Sequence, residues 1–335
     1  MPGKVLVLGG AGYVGSHCCR AFSDAGWEVI VFDNLSTGWR DLVRWGALIE
    51  GDLNNPQDIE AAFSAVKPDA VAHFAASTLV GESVTEPGKY YRNNTFATLN
   101  LLDAMRRHGT SSIIFSSTCA IFGHAQTDVL AEDHPRNPIN PYGMSKLMVE
   151  QMLAGFDHAH GIRSACLRYF NAAGADRDGL TGERHACETH LIPLALKGAY
   201  DPGYSFTING TDFDTPDGTA LRDYIHVEDL AEAHLLALNA LEKGAPSNAF
   251  NLGTGRGTSV AEIVDAVERA TGRRLPRKTG PRRPGDPARL IAAPEKAKEI
   301  LGWTATRSDV DNIITSALAW HQKDWAINRE DSLQG

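Results

Sequence analysis

The sequence predicts an α/β protein, a doubly wound parallel sheet joined to a smaller mixed α/β domain. Three observations predict it. Short apolar runs alternate with amphipathic stretches through the first half, a glycine-rich turn follows the first run, and the rhythm breaks near residue 171.

Taken in order, the expected strands are Val5–Leu8, Val29–Phe32, Leu48–Glu50, Ala70–Phe74, Ile113–Ser116 and Ala165–Tyr169. Helical patterns separate them over about 14–25, 57–66, 93–108 and 142–160. Strands apolar on both faces are covered on both faces, as parallel strands with crossover helices are. Gly26 and Gly109 stand where C-terminal glycine caps belong. Beyond residue 171, Gly174–Glu188 and Asn209–Thr219 read as loops, and helices are expected at about 227–243 and 260–271. Arg273–Pro287 is basic and proline-rich, and two further helical patterns end near Asp324. The expected division is 1–171 and 172–328, sharing an interface that some chain crosses, with a polar, frayed tail at 329–335.

At 335 residues, 43% hydrophobic and 22% charged, the chain can bury a large core and has the composition of a soluble globular protein. A net charge of −9 argues against a nucleic-acid or membrane-surface partner. No run is apolar enough to span a bilayer, and the N-terminus enters a strand without a signal-peptide pattern. The five cysteines (18, 19, 119, 166 and 187) are odd in number and form no C-x-x-C, which fits a reducing cytoplasm.

Gly9, Gly12 and Gly15 follow the first strand and open a helix, the setting a dinucleotide fingerprint requires. Glycines permit the tight turn and let backbone N–H groups approach a pyrophosphate. The first part is therefore expected to be a Rossmann-like NAD domain. Asp33 ends the second strand, where a carboxylate bonds a ribose 2′-hydroxyl and repels a 2′-phosphate, favouring NAD over NADP. The bland alternative is a solvated strand-end aspartate. Asp52 is placed to meet the adenine or to start the turn at Asn54-Asn55-Pro56. Phe74, Ala75 and Ala76 end the fourth strand, where small residues let the chain pass close to a cofactor.

Tyr142 and Lys146 lie four residues apart, on one face of the helix expected over 142–160. A free tyrosine titrates near ~10, and bringing it to ~7 takes about 4 kcal/mol. One positive charge about 5 Å away supplies roughly 3 kcal/mol at an effective dielectric near 20. Lys146 together with an oxidised nicotinamide ring is thus expected to make Tyr142 a proton acceptor for hydride chemistry. Ser116, Ser117 and Thr118 end the preceding strand, and a Thr118 hydroxyl can hold a sugar oxygen there. Their ordinary reading is turn chemistry. The run His185–His190 has neither H-E-x-x-H nor a zinc spacing, so no metal is expected, and His190 reads as a nucleotide contact.

Together these stretches resemble the extended short-chain dehydrogenase/reductases and, within them, the UDP-glucose 4-epimerase family. The resemblance runs from about residue 4 to 325. It is carried by Gly9–Ser16, Asp33–Leu35, Glu50–Asp52, His73–Ala76, Val80–Ser83, Phe115–Thr118, Pro141–Glu150, Leu167–Asn171, Glu188–Pro193, Arg222–Val227, Asn251–Gly253 and Arg282–Asp286. It implies that Tyr142 takes the 4′-hydroxyl proton while C4 gives hydride to tightly held NAD. The 4-keto sugar then turns over and takes the hydride back on its other face. Lys146 would bind the nicotinamide ribose and Thr118 orient the 4′-oxygen. The implied cofactor contacts also include Tyr13, Val14, Asn34, Leu53, Asn93, Ser116 and Phe170. The implied UDP-sugar contacts are Asn171, His190, Leu191, Thr207, Arg222, Arg283, Asp286 and Leu290. A homodimer through the helices near 93–108 and 142–160 is implied as well.

Two positions depart from some members of that family. Thr78 stands where others have a lysine near the pyrophosphate, and Leu290 where others have an aromatic residue beside the sugar. The smaller Leu290 bears on whether UDP-N-acetylhexosamines or UDP-pentoses enter. A 4,6-dehydratase oxidises C4 in the same way but needs an acid/base pair after the threonine. Here Cys119 and Ala120 follow Thr118. A cofactor-sensing module would be expected to lack the tyrosine or the lysine, and both are present.

Overall fold

The computed structural model describes residues 3–201, 203–283 and 286–334, with side chains as far as Trp325. Its centre is a seven-stranded, all-parallel sheet. The strands are β1 (Lys4–Leu8), β2 (Glu28–Asp33), β3 (Ala47–Glu50), β4 (Ala70–His73) and β5 (Ser112–Thr118), with Arg163–Tyr169 and Asn248–Leu252 beyond β5. Across the sheet the order is Asn248–Leu252, Arg163–Tyr169, β5, β4, β1, β2, β3. The order reverses next to β1, and at such a switch point a crevice opens beyond the strands' carboxyl ends. All six expected strands are present. The seventh, Asn248–Leu252, carries two asparagines in five residues and shows no apolar run.

Successive side chains on a strand face opposite ways, so Val5 and Val7 enter one core layer and Leu6 and Leu8 the other. The first layer is covered by α1 (Tyr13–Asp24) and the helix Val227–Glu242. The second is covered by Pro56–Val66, Ala97–His108 and Pro141–His160. Gly109 caps Ala97–His108 in the left-handed region, as expected, and Gly26 follows α1 at φ 87°. The helix expected at 93–108 is reached through a π-helical turn, Tyr91–Phe96.

A third core holds the remaining helices, Leu191–Tyr200, Val260–Thr271 and Val310–Gln334. Chain crosses between the parts in both directions. Asn248–Leu252 returns to the large sheet, whereas Val129–Leu130 leaves it to pair with Arg289–Ala292. The last helix, expected to end near Asp324, continues to Gln334, so the stretch expected to fray is helical that far. Gly335 lies outside the described residues.

Candidate active site

The glycine turn is shaped by two contacts and left open at a third. Gly9 takes φ 80°, and a Cβ there would lie 2.5 Å from the Ala75 nitrogen, so the turn runs against the end of β4. A Cβ on Gly15 would lie 2.2 Å from the Gly9 carbonyl oxygen, so α1 starts in contact with the turn. A Cβ on Gly12 would meet only that same oxygen, at 3.3 Å. Gly12 is also the N-cap of α1, with no side chain capping it and no acid in the first turn. Packing at Gly12 asks the Gly9 carbonyl to give by only a few tenths of an ångström, far less than at Gly9 or Gly15, while the free N–H groups and the dipole favour a phosphate. The site fits a dinucleotide. Tyr13 and Val14 form its first turn, and the Tyr13 phenol donates to the Gly174 carbonyl at 2.6 Å.

Asp33 is buried, not solvated. Its carboxylate accepts from the Ala11 N–H at 3.0 Å and the Leu35 N–H at 2.8 Å, joining the glycine turn to the end of β2. Burial raises its pKa, and those two bonds hold it back. Asn34 reaches Asp52 at 3.3 Å, and Asp52 accepts from Asn54, which reaches Asn93 at 3.4 Å. Leu53 is buried, with its carbonyl bonded by Asn100 at 3.1 Å. Phe74 and Ala75 both donate to the Leu8 carbonyl, at 2.8 and 3.0 Å, and Ala76 follows, half-buried. Apart from Asn93, on the π-helical turn, these expected cofactor residues lie at or just after the carboxyl ends of β1 to β4.

The helix Pro141–His160 brings Tyr142 to the end of β5. Asn140 caps it by accepting from the Gly143 N–H at 2.8 Å. A Cβ on Gly143 would lie 2.5 Å from the Ala120 carbonyl, so the first turn abuts the turn that follows Thr118. Lys146, one helical turn on, is buried and donates to the Ser116 carbonyl at 2.8 Å. The Ser116 hydroxyl is bonded to the Tyr169 phenol.

The electrostatics run opposite to the simplest expectation. Burial pushes the Tyr142 phenol up to about 12, opposed by a hydrogen bond with Thr118. Lys146 does not offset that rise. Burial lowers its ammonium to about 7, so both partners resist carrying charge singly.

Several positioning residues were not singled out from sequence. Glu150 is buried and accepts from Ser117 at 2.6 Å and from Arg168 at 2.9 and 2.7 Å, tying the Tyr142 helix to two sheet strands. Asn94, on the π-turn, bonds the Ser77 backbone and the Ser145 hydroxyl. Asp223 is fully buried and gathers N–H groups of Thr254, Gly255 and Ala292, its pKa raised by burial against those bonds. Only Glu150, an acid between Leu147-Met148-Val149 and Met152-Leu153, carries a signal in the sequence; Asn94 and Asp223 stand beside other polar or charged residues.

On the expected substrate side, Arg222 and Asp286 form an ion pair. Asn171 donates to the Asp223 carbonyl from its backbone and its side chain, at 3.1 and 3.2 Å. Phe170 and Leu290 pack against the cluster of Cys119, Ile121, Phe122, Leu130 and Leu147. Arg283 is exposed, its carbonyl accepting from Asp286 at 3.1 Å. Thr207 is exposed on the strand Phe206–Asn209, and no described contact joins it to Arg222 or Asp286. Leu191 begins its helix, with His190 as N-cap and no side-chain cap. The His190 ring is turned to Glu183 and Glu188, at 2.9 and 2.8 Å.

Residues 5–253 match the model of the NAD dependent epimerase/dehydratase family. The chain is 48% identical over 319 residues to the UDP-glucose 4-epimerase of Rhizobium leguminosarum bv. trifolii, covering 95% of this chain and 97% of the relative. Its structure superposes on that of UDP-glucose 4-epimerase from Brucella ovis in complex with NAD, with TM-score 0.92 and 49% identity, covering 94% of this chain and 97% of that one. It is also similar to the UDP-Glc/GlcNAc 4-epimerase of Campylobacter jejuni, with TM-score 0.85 and 42% identity over 96% and 99% of the two chains. With nearly its whole length matched and a glycine turn open to a dinucleotide, the chain belongs to the NAD dependent epimerase/dehydratase family.

Proposed function

We propose that this protein is an NAD-dependent UDP-glucose 4-epimerase, inverting C4 between UDP-glucose and UDP-galactose through a 4-keto sugar. NAD, when bound, supplies the reversible hydride acceptor and the positive charge of its oxidised ring. The remaining work falls to the chain's side chains. Tyr142 accepts the 4′-hydroxyl proton and returns it, and Thr118 holds the 4′-oxygen. Moving a phenol from about 12 to neutrality takes about 7 kcal/mol. A single positive charge about 5 Å from a phenol contributes roughly 3 kcal/mol at an effective dielectric near 20, less than half of that. The remainder is left to the positive charge of the oxidised ring when the cofactor is bound.

The observation that carries this reading is the meeting of Tyr142, Thr118 and Lys146 at the end of β5, with Cys119 and Ala120 after the threonine. Neither of those two can supply the acid/base pair that a dehydratase needs. Arg222, paired with Asp286, is proposed to face the diphosphate and ribose, with Asn171, Leu191, Thr207 and Arg283 as further contacts. His190 contributes through its main chain at the start of the helix, its ring being turned to Glu183 and Glu188. The similarity to an enzyme named for both UDP-Glc and UDP-GlcNAc, together with Leu290 in the apolar wall, favours a second sugar class. Exposed Tyr91, Phe96, Leu99 and Met148 support a homodimer through the helices that carry them. Five free cysteines support a cytoplasmic location. Among the described residues no helix is long and apolar enough to cross a membrane.

The deciding experiment incubates purified enzyme with UDP-galactose, without added NAD, and follows UDP-glucose. Interconversion is expected. Formation of a 4-keto-6-deoxy sugar, or no reaction by NAD-loaded protein, would defeat the proposal.

A further inference from the structure

We propose that Glu183, His185, Glu188 and His190 form a binding site for one divalent transition-metal ion of the zinc class. The four side chains come from a single eight-residue stretch, E-x-H-x-x-E-x-H, and each turns one donor atom to a common point. Those four atoms all lie within 4.8 Å of one another. His190 Nδ1 is 2.8 Å from Glu188 Oε1 and 2.9 Å from Glu183 Oε1, and His185 Nε2 is 3.3 Å from the same Glu183 oxygen. Tetrahedral zinc with bonds of about 2.0–2.1 Å holds its ligand atoms roughly 3.3 Å apart. Small side-chain rotations close the difference.

Charge and chemistry agree with the geometry. Two carboxylates balance one divalent ion when both imidazoles are neutral, and imidazole with carboxylate suits zinc and its neighbours better than a purely hard cation. The stretch is also held from both sides before any ion arrives. The Glu183 carbonyl accepts from the Trp320 indole at 3.0 Å. Arg184 pairs with Asp41 and Asp324, and its guanidinium lies over the rings of Trp39 and Trp320, at 5.2 and 5.3 Å. Glu183 is itself more than nine-tenths buried, so its position is not left to solvent. Spacing alone sets the run His185–His190 aside as a metal site, and Glu183, which completes the set, lies outside that run. The ion would fasten the segment that leads into the helix starting at Leu191, close to the α1 N-terminus.

Chelator-stripped, full-length protein titrated calorimetrically with zinc chloride is expected to bind one ion per chain. Crystals measured above and below the zinc edge should show an anomalous peak among these four side chains. His185→Ala and Glu188→Gln alter half-buried positions, and each is expected to weaken zinc binding at least tenfold while circular dichroism stays unchanged. Cys187→Ser, a change at the neighbouring exposed thiol, should leave binding intact. Less than a tenth of an ion per chain, a peak elsewhere, unchanged affinity in both variants, or lost affinity in Cys187→Ser would each overturn the site.

Discussion

Lys146 donates its Nζ proton to the carbonyl oxygen of Ser116 at 2.8 Å, fastening the helix of Tyr142 to the carboxyl end of β5. That bond accounts for the lysine's position whether or not it carries charge. Burial keeps its pKa near neutrality, so a modest change in the surroundings decides its state.

Tyr142→Phe removes the proposed proton acceptor and leaves the ring. Turnover is expected to fall by orders of magnitude, with NAD content and UDP affinity near the parent's. Steady-state kinetics beside a bound-nucleotide assay checks this. Near-normal turnover would reassign the base.

Lys146 makes stability depend on pH. Its ammonium is lowered from 10.5 to about 7 in the folded protein. Between those values the unfolded chain holds one more proton at this group, so its contribution to stability rises with pH and is least at and below about 7. Lys146→Met should therefore be more stable than the parent at pH 7, with the gain shrinking toward pH 10. Urea midpoints across that range measure it, and a gain independent of pH would contradict the argument.

Gly12 and Gly15 separate ligand room from packing room. Gly12→Ala is expected to fold but to carry much less NAD, because its methyl group meets little protein. Gly15→Ala drives a Cβ to 2.2 Å from the Gly9 carbonyl and is expected to fold poorly. Circular dichroism and released-NAD measurements distinguish the two. Equal NAD content in folded Gly12→Ala and parent would deny the phosphate role.

Glu150 and Arg168 form a buried, bidentate pair beneath the site. Removing either partner strands a charge, so Glu150→Gln or Arg168→Met should each cost about 3–5 kcal/mol. The double variant should lose less than the sum of the two. Denaturant unfolding of all four proteins tests the coupling, and additive losses would mean the pair does not act as a unit.

Leu290 lies in the apolar wall with Phe170 and Cys119. Leu290→Tyr should reduce any activity on N-acetylated UDP sugars relative to UDP-galactose. A panel of UDP sugars gives the ratio, and an unchanged ratio would place the selector elsewhere.

Periodicity and turn chemistry alone determined the six leading strands, the glycine turn, and Tyr142 and Lys146 on one helical face. These are short-range properties, written within a few residues of where they act. Tertiary structure decided the rest. Asn248–Leu252 becomes a strand only because Arg163–Tyr169 offers it an edge. Asp33 turns from a surface acid into a buried clasp because Ala11 folds over it. The phenol of Tyr142 rises although Lys146 is one turn away, because desolvation depends on everything packed around a group and not on its neighbour in sequence. Glu183 is set beside His185, Glu188 and His190 by contacts from distant parts of the chain, Trp320 on its carbonyl and Asp41 and Asp324 on the neighbouring Arg184.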